Sequence, residues 1–188
     1  MRLFAALNFE GEFLEAILTR QAELRRLTRQ KTPESGGGGR RINWSREENL
    51  HLTLAFIGER ESPADAIRAL GEIRVPPVDL SLGKPFLLGT VLCLGLESEG
   101  GLKPLASAVR DALGKAGVPF DPKPFRPHIT LAREFRRPLP ALPPEFEGPV
   151  SARIGEFALM LSDRGGENGR LRYTPLAVFP LIGPSYKN

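Results

Sequence analysis

The chain has two histidines, and each opens the same kind of tetrapeptide: His51-Leu52-Thr53-Leu54 and His128-Ile129-Thr130-Leu131. In a chain of this composition, both histidines being followed by apolar-Thr-Leu is an accident on the order of one in 10⁵. Side chains alternate faces along a strand. On two strands, His51 and Thr53 therefore share one face, as do His128 and Thr130, while Leu52, Leu54, Ile129 and Leu131 point into a core. Brought face to face, such strands surround one small anion with two imidazoles and two hydroxyls. An imidazole titrates near neutrality, so one starts neutral as general base and the other protonated as general acid. The threonine hydroxyls donate to non-bridging oxygens where charge builds up. This set suits phosphodiester cleavage without a metal. Two histidines and the single Cys93 fall short of the usual three or four side-chain ligands of a protein zinc site, so neither metal nor cofactor is expected. Cys93, in the apolar run TVLCLGL, reads as a buried structural thiol, and one cysteine allows no intrachain disulfide.

The elements that must hold these residues follow from periodicity and breakers. RLFAALNF (2–9) is a short buried strand. From Glu10 to about Thr32, apolar residues recur at helical spacing until Pro33, and PESGGGGR (33–40) follows as a flexible loop. A short strand is expected over 42–44 and a strong one over 50–58, with His51 near its start. Ser62-Pro63 signals a helix running to about Arg74. Strands over 78–83 and 90–96 precede a helix over 102–117 that Gly117 ends. The second histidine strand covers 127–133, and 152–163 with 170–181 read as a closing pair. This order predicts an α+β fold of mostly antiparallel sheet. The two alike strands, each after a helix, suggest an internal duplication: two pseudo-symmetric lobes backed by helices, with the active-site cleft between them, in one domain spanning 1–188.

Bulk properties narrow the setting. The chain has 188 residues, 41% hydrophobic and 26% charged, which suits a soluble globule. No apolar run approaches the roughly 18–20 residues of a membrane helix. The N-terminus lacks a secretory signal's long apolar core, and the expected location is the cytoplasm. The net charge is +4, and 20 of the 26 basic residues are arginine. Arginine's planar fork matches phosphate oxygens, which fits an anionic partner such as RNA. Arg126, Arg170 and Arg172 are candidates to line an RNA path. Trp44 and Tyr173 are candidate stacking platforms, with packing as their ordinary role.

The paired His-x-Thr-x motifs resemble those of the 2H phosphoesterases. RLFAALNF, NLHLTLAFIGE, PFRPHITLARE and RYTPL make the chain similar, almost end to end, to the RNA 2',3'-cyclic phosphodiesterases, once called 2'-5' RNA ligases. The resemblance implies that His51 is the proton donor to the departing 3'-oxygen and His128 the proton acceptor that activates water. It implies a 2'-phosphate product, with Thr53 and Thr130 holding the phosphate. It also places a substrate-contacting aromatic and an arginine five residues after the histidines, here Phe56 and Arg133. Strict alternation puts both on the core face, so a strand end or bulge must turn them towards the site. The GGGG run at 36–39 departs from the family pattern.

The expected function is hydrolysis of RNA 2',3'-cyclic phosphate ends. The expected partners are RNA carrying cyclic phosphate or 2'-phosphate ends and no membrane, and the expected state is a monomer. Two alternatives remain: 2'-5' RNA ligase activity at the same residues, joining 2'-phosphate and 5'-hydroxyl ends, or a non-catalytic RNA-end-binding protein.

Overall fold

The computed structural model describes residues 1–30, 41–143, 146, 148, 150–166 and 169–183. The Gly-rich loop at 33–40 lies outside them. β1 (Arg2–Asn8) leads into α1 (Gly11–Gln30), whose buried face carries Phe13, Ile17 and Leu24. After β2 (Asn43–Trp44) and a short 3-10 turn (Glu47–Asn49) comes β3 (His51–Glu59), the first histidine strand. α2 (Ala64–Gly71) starts where the Ser62 hydroxyl accepts the Ala64 N–H at 3.2 Å, and it ends short of Arg74. β4 (Val78–Leu88) and β5 (Val91–Glu97) form a hairpin. α3 (Leu102–Lys115) stops before Gly117, whose φ of +68° is the left-handed turn that suits glycine. β6 (His128–Arg133), β7 (Ser151–Ile154), β8 (Glu156–Gly166) and β9 (Arg170–Pro180) complete the chain. No described helix is long and apolar enough to cross a membrane.

The strands form one sheet in the order β7-β4-β5-β6-β3-β1-β8-β9, with β2 added to β6. Every pairing among the described residues is antiparallel. Read outward from its centre, the sheet has two like halves. β1-α1-β3 and β5-α3-β6 are each a strand, a helix and a histidine strand returning beside the first. The α+β class and the duplicated arrangement follow the sequence pattern. The histidine strands, however, are sheet neighbours rather than opposing walls, joined at the single pair Leu52↔Ile129.

Two further element boundaries differ from expectation. The strand expected over 152–163 is two strands: β7 pairs with β4, whereas β8 pairs with β1 and β9. The chain crosses between the halves at Gly155, so 152–163 and 170–181 are not a simple closing hairpin. β4 also continues past Gly83 to Leu88, because a bulge between Leu82 and Pro85 accommodates a proline that has no N–H to donate.

One face of the sheet carries the main core, including Leu3, Ala5, Leu7, Leu52, Leu54, Leu92, Leu94, Ile129 and Leu131. The other face holds a small cluster, Phe4, Ala6, Ala158 and Met160, against which Phe56 and Tyr173 pack.

Candidate active site

The two histidines are held by the same local device. His51 Nδ1 lies 2.8 Å from the Asn49 carbonyl oxygen, and His128 Nδ1 lies 2.7 Å from that of Arg126. A carbonyl only accepts, so each Nδ1 carries a hydrogen and donates it two residues back. Each Nε2 is thereby left for proton transfer. His51 Nε2 lies 3.1 Å from Thr53 Oγ1.

The register brings the motifs together. Leu52 pairs with Ile129 in an antiparallel ladder. The residues flanking this pair, His51 and Thr53 on β3 and His128 and Thr130 on β6, therefore border one junction, and the charge of His128 reaches His51. Leu52 and Ile129 face the other way and are fully buried.

The same irregularity follows each motif. Thr53 and Ala55 pair with the consecutive β1 residues Ala6 and Ala5, which makes Leu54 an extra residue in β3. Thr130 and Ala132 pair with the consecutive β5 residues Cys93 and Leu92, which makes Leu131 an extra residue in β6. Each bulge resets the alternation. Leu54-Ala55 and Leu131-Ala132 are both buried as adjacent pairs; Phe56 then packs with Phe4 on the histidine face, and the charge of Arg133 reaches His51. The Leu131 bulge is secured from outside β6. The Leu131 carbonyl accepts from the Ser45 N–H and the Gln21 side-chain amide, both at 2.9 Å. The Ser45 hydroxyl donates to the Thr130 carbonyl at 2.6 Å.

The surroundings of the two imidazoles differ. The His51 ring lies 4.9 Å from Phe4 and 5.0 Å from Tyr173, edge-on at 88° to the latter. Burial holds its pKa down at about 4. The Asn49 carbonyl pulls upward against this, and the positive charges of His128 and Arg133 push the same way as burial. His128 has one aromatic neighbour among the described contacts, Phe86, at 6.3 Å. Arg133 is exposed at the end of β6, and its charge reaches both His51 and Cys93. Burial raises the Cys93 thiol to about 11, so it is not a thiolate at neutral pH.

His51, Thr53, His128, Thr130, Phe56 and Arg133 thus share one face. Trp44 does not join them and instead packs edge-on against Phe135 at 6.3 Å. Arg126, Arg170 and Arg172 are exposed, and Arg126 contributes its backbone carbonyl. Sequence reasoning missed Phe4, Arg2 and the place of Tyr173. Arg2 stacks on Phe56 with its guanidinium carbon 4.8 Å from the ring centroid. Alternation along β1 sets Arg2, Phe4, Ala6 and Asn8 on one face, but a strand apolar on both faces conceals that signal.

Residues 17–166 match the model of the 2'-5' RNA ligase superfamily. The chain belongs to this superfamily. It is therefore a 2H phosphoesterase, and named relatives align over nearly its whole length. The RNA 2',3'-cyclic phosphodiesterase of Escherichia coli is 34% identical over 96% of each chain. That of Thermus thermophilus is 32% identical over 97% of this chain and 91% of its own. The crystal structure of E. coli LigT complexed with 3'-AMP superposes with a TM-score of 0.75 at 32% identity, covering 96% of this chain and 97% of that one.

Proposed function

We propose that this superfamily member hydrolyses the 2',3'-cyclic phosphate ends of RNA to 2'-phosphates, without a metal, at the His51/His128 site. The observation that carries the reading is the matched pair of imidazoles, each with Nδ1 tied to a backbone carbonyl two residues back, on strands that meet at Leu52 and Ile129. The names of relatives aligned end to end support the same activity. Among the described residues, no three His, Cys, Asp or Glu side chains gather where they could hold a metal ion.

In the mechanism, His128 Nε2 takes a proton from water as its oxygen attacks phosphorus. The bond to the 3'-oxygen breaks, and His51 Nε2–H protonates that oxygen. Thr53 and Thr130 donate to the non-bridging oxygens, Arg133 balances their charge, and Phe56 packs against the nucleoside. His51 is neutral at pH 7 in the unliganded protein, because its pKa is about 4. A phosphate anion seated beside it favours the charged imidazolium, so the donor's proton is taken up as substrate binds.

Joining is the second reading, favoured by the superfamily's description: an RNA 5'-hydroxyl replaces water at the same residues. The test is incubation with adenosine 2',3'-cyclic phosphate in chelator, with the product isomer identified by ³¹P NMR. The expected product is the 2'-phosphate. Activity lost in chelator and restored by a divalent ion refutes metal independence. Binding without turnover favours the non-catalytic alternative.

A further inference from the structure

Two polar side chains occupy matching places on the buried stripes of α1 and α3. Gln21 follows Ile17 by four residues and precedes Leu24 by three, and Arg110 stands in the same relation to Ala106 and Leu113. An apolar residue is the ordinary occupant of such a position. Both side chains are half-buried, and both direct their donors to backbone carbonyls.

Their targets correspond. Gln21 Nε2 donates to the Leu131 carbonyl and Arg110 Nε to the Leu54 carbonyl, at 2.9 and 3.3 Å. These are the two bulge residues, and each is gripped from the helix of the other half. The second bond of each side chain goes to the segment leading into the histidine strand of its own half. Gln21 Nε2 donates to the Ser45 carbonyl, ahead of His51, and a terminal nitrogen of Arg110 to the Lys123 carbonyl, ahead of His128, both at 2.9 Å. Those segments also supply the carbonyls of Asn49 and Arg126 that hold the two Nδ1 atoms. A backbone bond doubles each link: the Ser45 N–H donates to the Leu131 carbonyl at 2.9 Å, and the Asp121 N–H to the Phe56 carbonyl at 2.8 Å. The Arg110 guanidinium also lies over the rings of Phe120 and Phe125, 5.9 and 5.8 Å from their centroids.

The junction explains why such links matter. β3 and β6 share one ladder pair, Leu52↔Ile129, and a single pair leaves two strands free to splay or slide. Acid and base act on one phosphate, and a displacement of about 1 Å can cost on the order of 10²-fold in rate. Each bridge ties the approach to one histidine to the bulge that follows the other, so it resists that displacement without touching the phosphate. We infer that Gln21 and Arg110 are a reciprocal pair of positioning residues for the site, each fixing one histidine strand against the other. The inference rests on the proposed reading of the His51/His128 site.

The test compares the native chain with Gln21→Met, Arg110→Met and Arg110→Gln, at a temperature where circular dichroism shows each fully folded. Methionine is unbranched and lacks the donors. Glutamine sets an amide nitrogen where Arg110 Nε stands, as Gln21 does on the other helix. On adenosine 2',3'-cyclic phosphate, each methionine variant is expected to lose roughly 10–100-fold in kcat with KM changed by less than about threefold. Arg110→Gln is expected to stay within about fivefold of native, because the bulge keeps its hydrogen bond. The chain has two histidines, so their ¹H–¹⁵N imidazole signals are readily told apart, and both should move in each methionine variant. Native kcat in the folded methionine variants, or equal losses in Arg110→Met and Arg110→Gln, would overturn the inference. A deficit that follows the unfolded fraction and disappears on cooling marks a merely structural role and overturns it too. The imidazole signals need no turnover, so two failures separate: a native chain that opens no cyclic phosphate refutes the reading of the site, and unmoved signals refute the bridges.

Discussion

His51 and His128 have the same sequence context and the same carbonyl tether, yet they differ in environment, and this difference suits separate roles. A general acid matters most when the leaving group is poor. His51→Ala is therefore expected to lower kcat/KM on a ribose cyclic phosphate by about 10²–10⁴-fold, and by much less on an activated diester whose leaving group departs without a proton. His128→Ala should damage both reactions, because water must be activated in each. Rescue of His128→Ala but not His51→Ala by the activated diester would reverse the assignment. Burial between Phe4 and Tyr173 also makes His51 a linkage group. Its folded pKa of about 4 lies below the ordinary 6.5, so the unfolded chain binds the proton more readily. Stability contributed by the neutral ring is present above about pH 6.5 and is lost as pH falls through about 4. Denaturant unfolding across that window should show a smaller loss for His51→Gln than for the native chain. Sulfate, an anion that does not titrate there, should bring proton uptake when it binds, seen as buffer-dependent heats, and His51→Gln should reduce that uptake.

At the scale of elements, the bulges at Leu54 and Leu131 decide what stands beside the histidines. The paired His-x-Thr-x pattern was legible in the sequence because strand period places His and Thr together. Phe56 and Arg133 were legible as positions, but strict alternation put them on the core face. A bulge leaves no local mark in Leu-Ala-Phe or Leu-Ala-Arg, since the extra residue is as apolar as its neighbours. It is specified from a distance, in β6 by Ser45 and Gln21. The crossing at Gly155 was hidden for a related reason: partner strands are chosen by the tertiary arrangement, and ARIGEFALMLSD reads locally as one strand. Because the bulge turns Arg133 to the histidine face, Arg133→Gln has two expected effects. It should lower kcat/KM by roughly 10–100-fold through loss of a charge-assisted phosphate contact. It should also raise the His51 pKa, since the arginine's charge helps hold it down, and an NMR titration of the imidazole measures that shift. An unchanged His51 titration together with native kinetics would show that the bulge does not bring Arg133 to the site.

The whole molecule must keep two half-sheets in register across one residue pair, and the side chains at that pair are Leu52 and Ile129, both fully buried. Other connections cross the same junction. β2 precedes β3 in the chain yet pairs with β6, β7 passes directly into β8, and Gln21 on α1 donates to the carbonyls of Ser45 and Leu131. Arg20, buried on the same helix, donates to the carbonyls of Gly83 and Gly148 at 3.2 and 2.6 Å. A helix that follows β1 is thus anchored to β6 and β4, so neither half keeps its hydrogen bonds if the other opens. One cooperative unfolding transition is expected despite the duplication. Trp44, the single tryptophan, is placed to test this. Its β2 strand sits on β6, so its fluorescence follows one half, while far-UV circular dichroism follows both. The two denaturant curves should coincide. Ile129→Ala should shift both together by about 2–5 kcal/mol, the usual cost of deleting a buried isoleucine side chain. If the fluorescence curve moves alone, the halves unfold separately and the junction does not couple them.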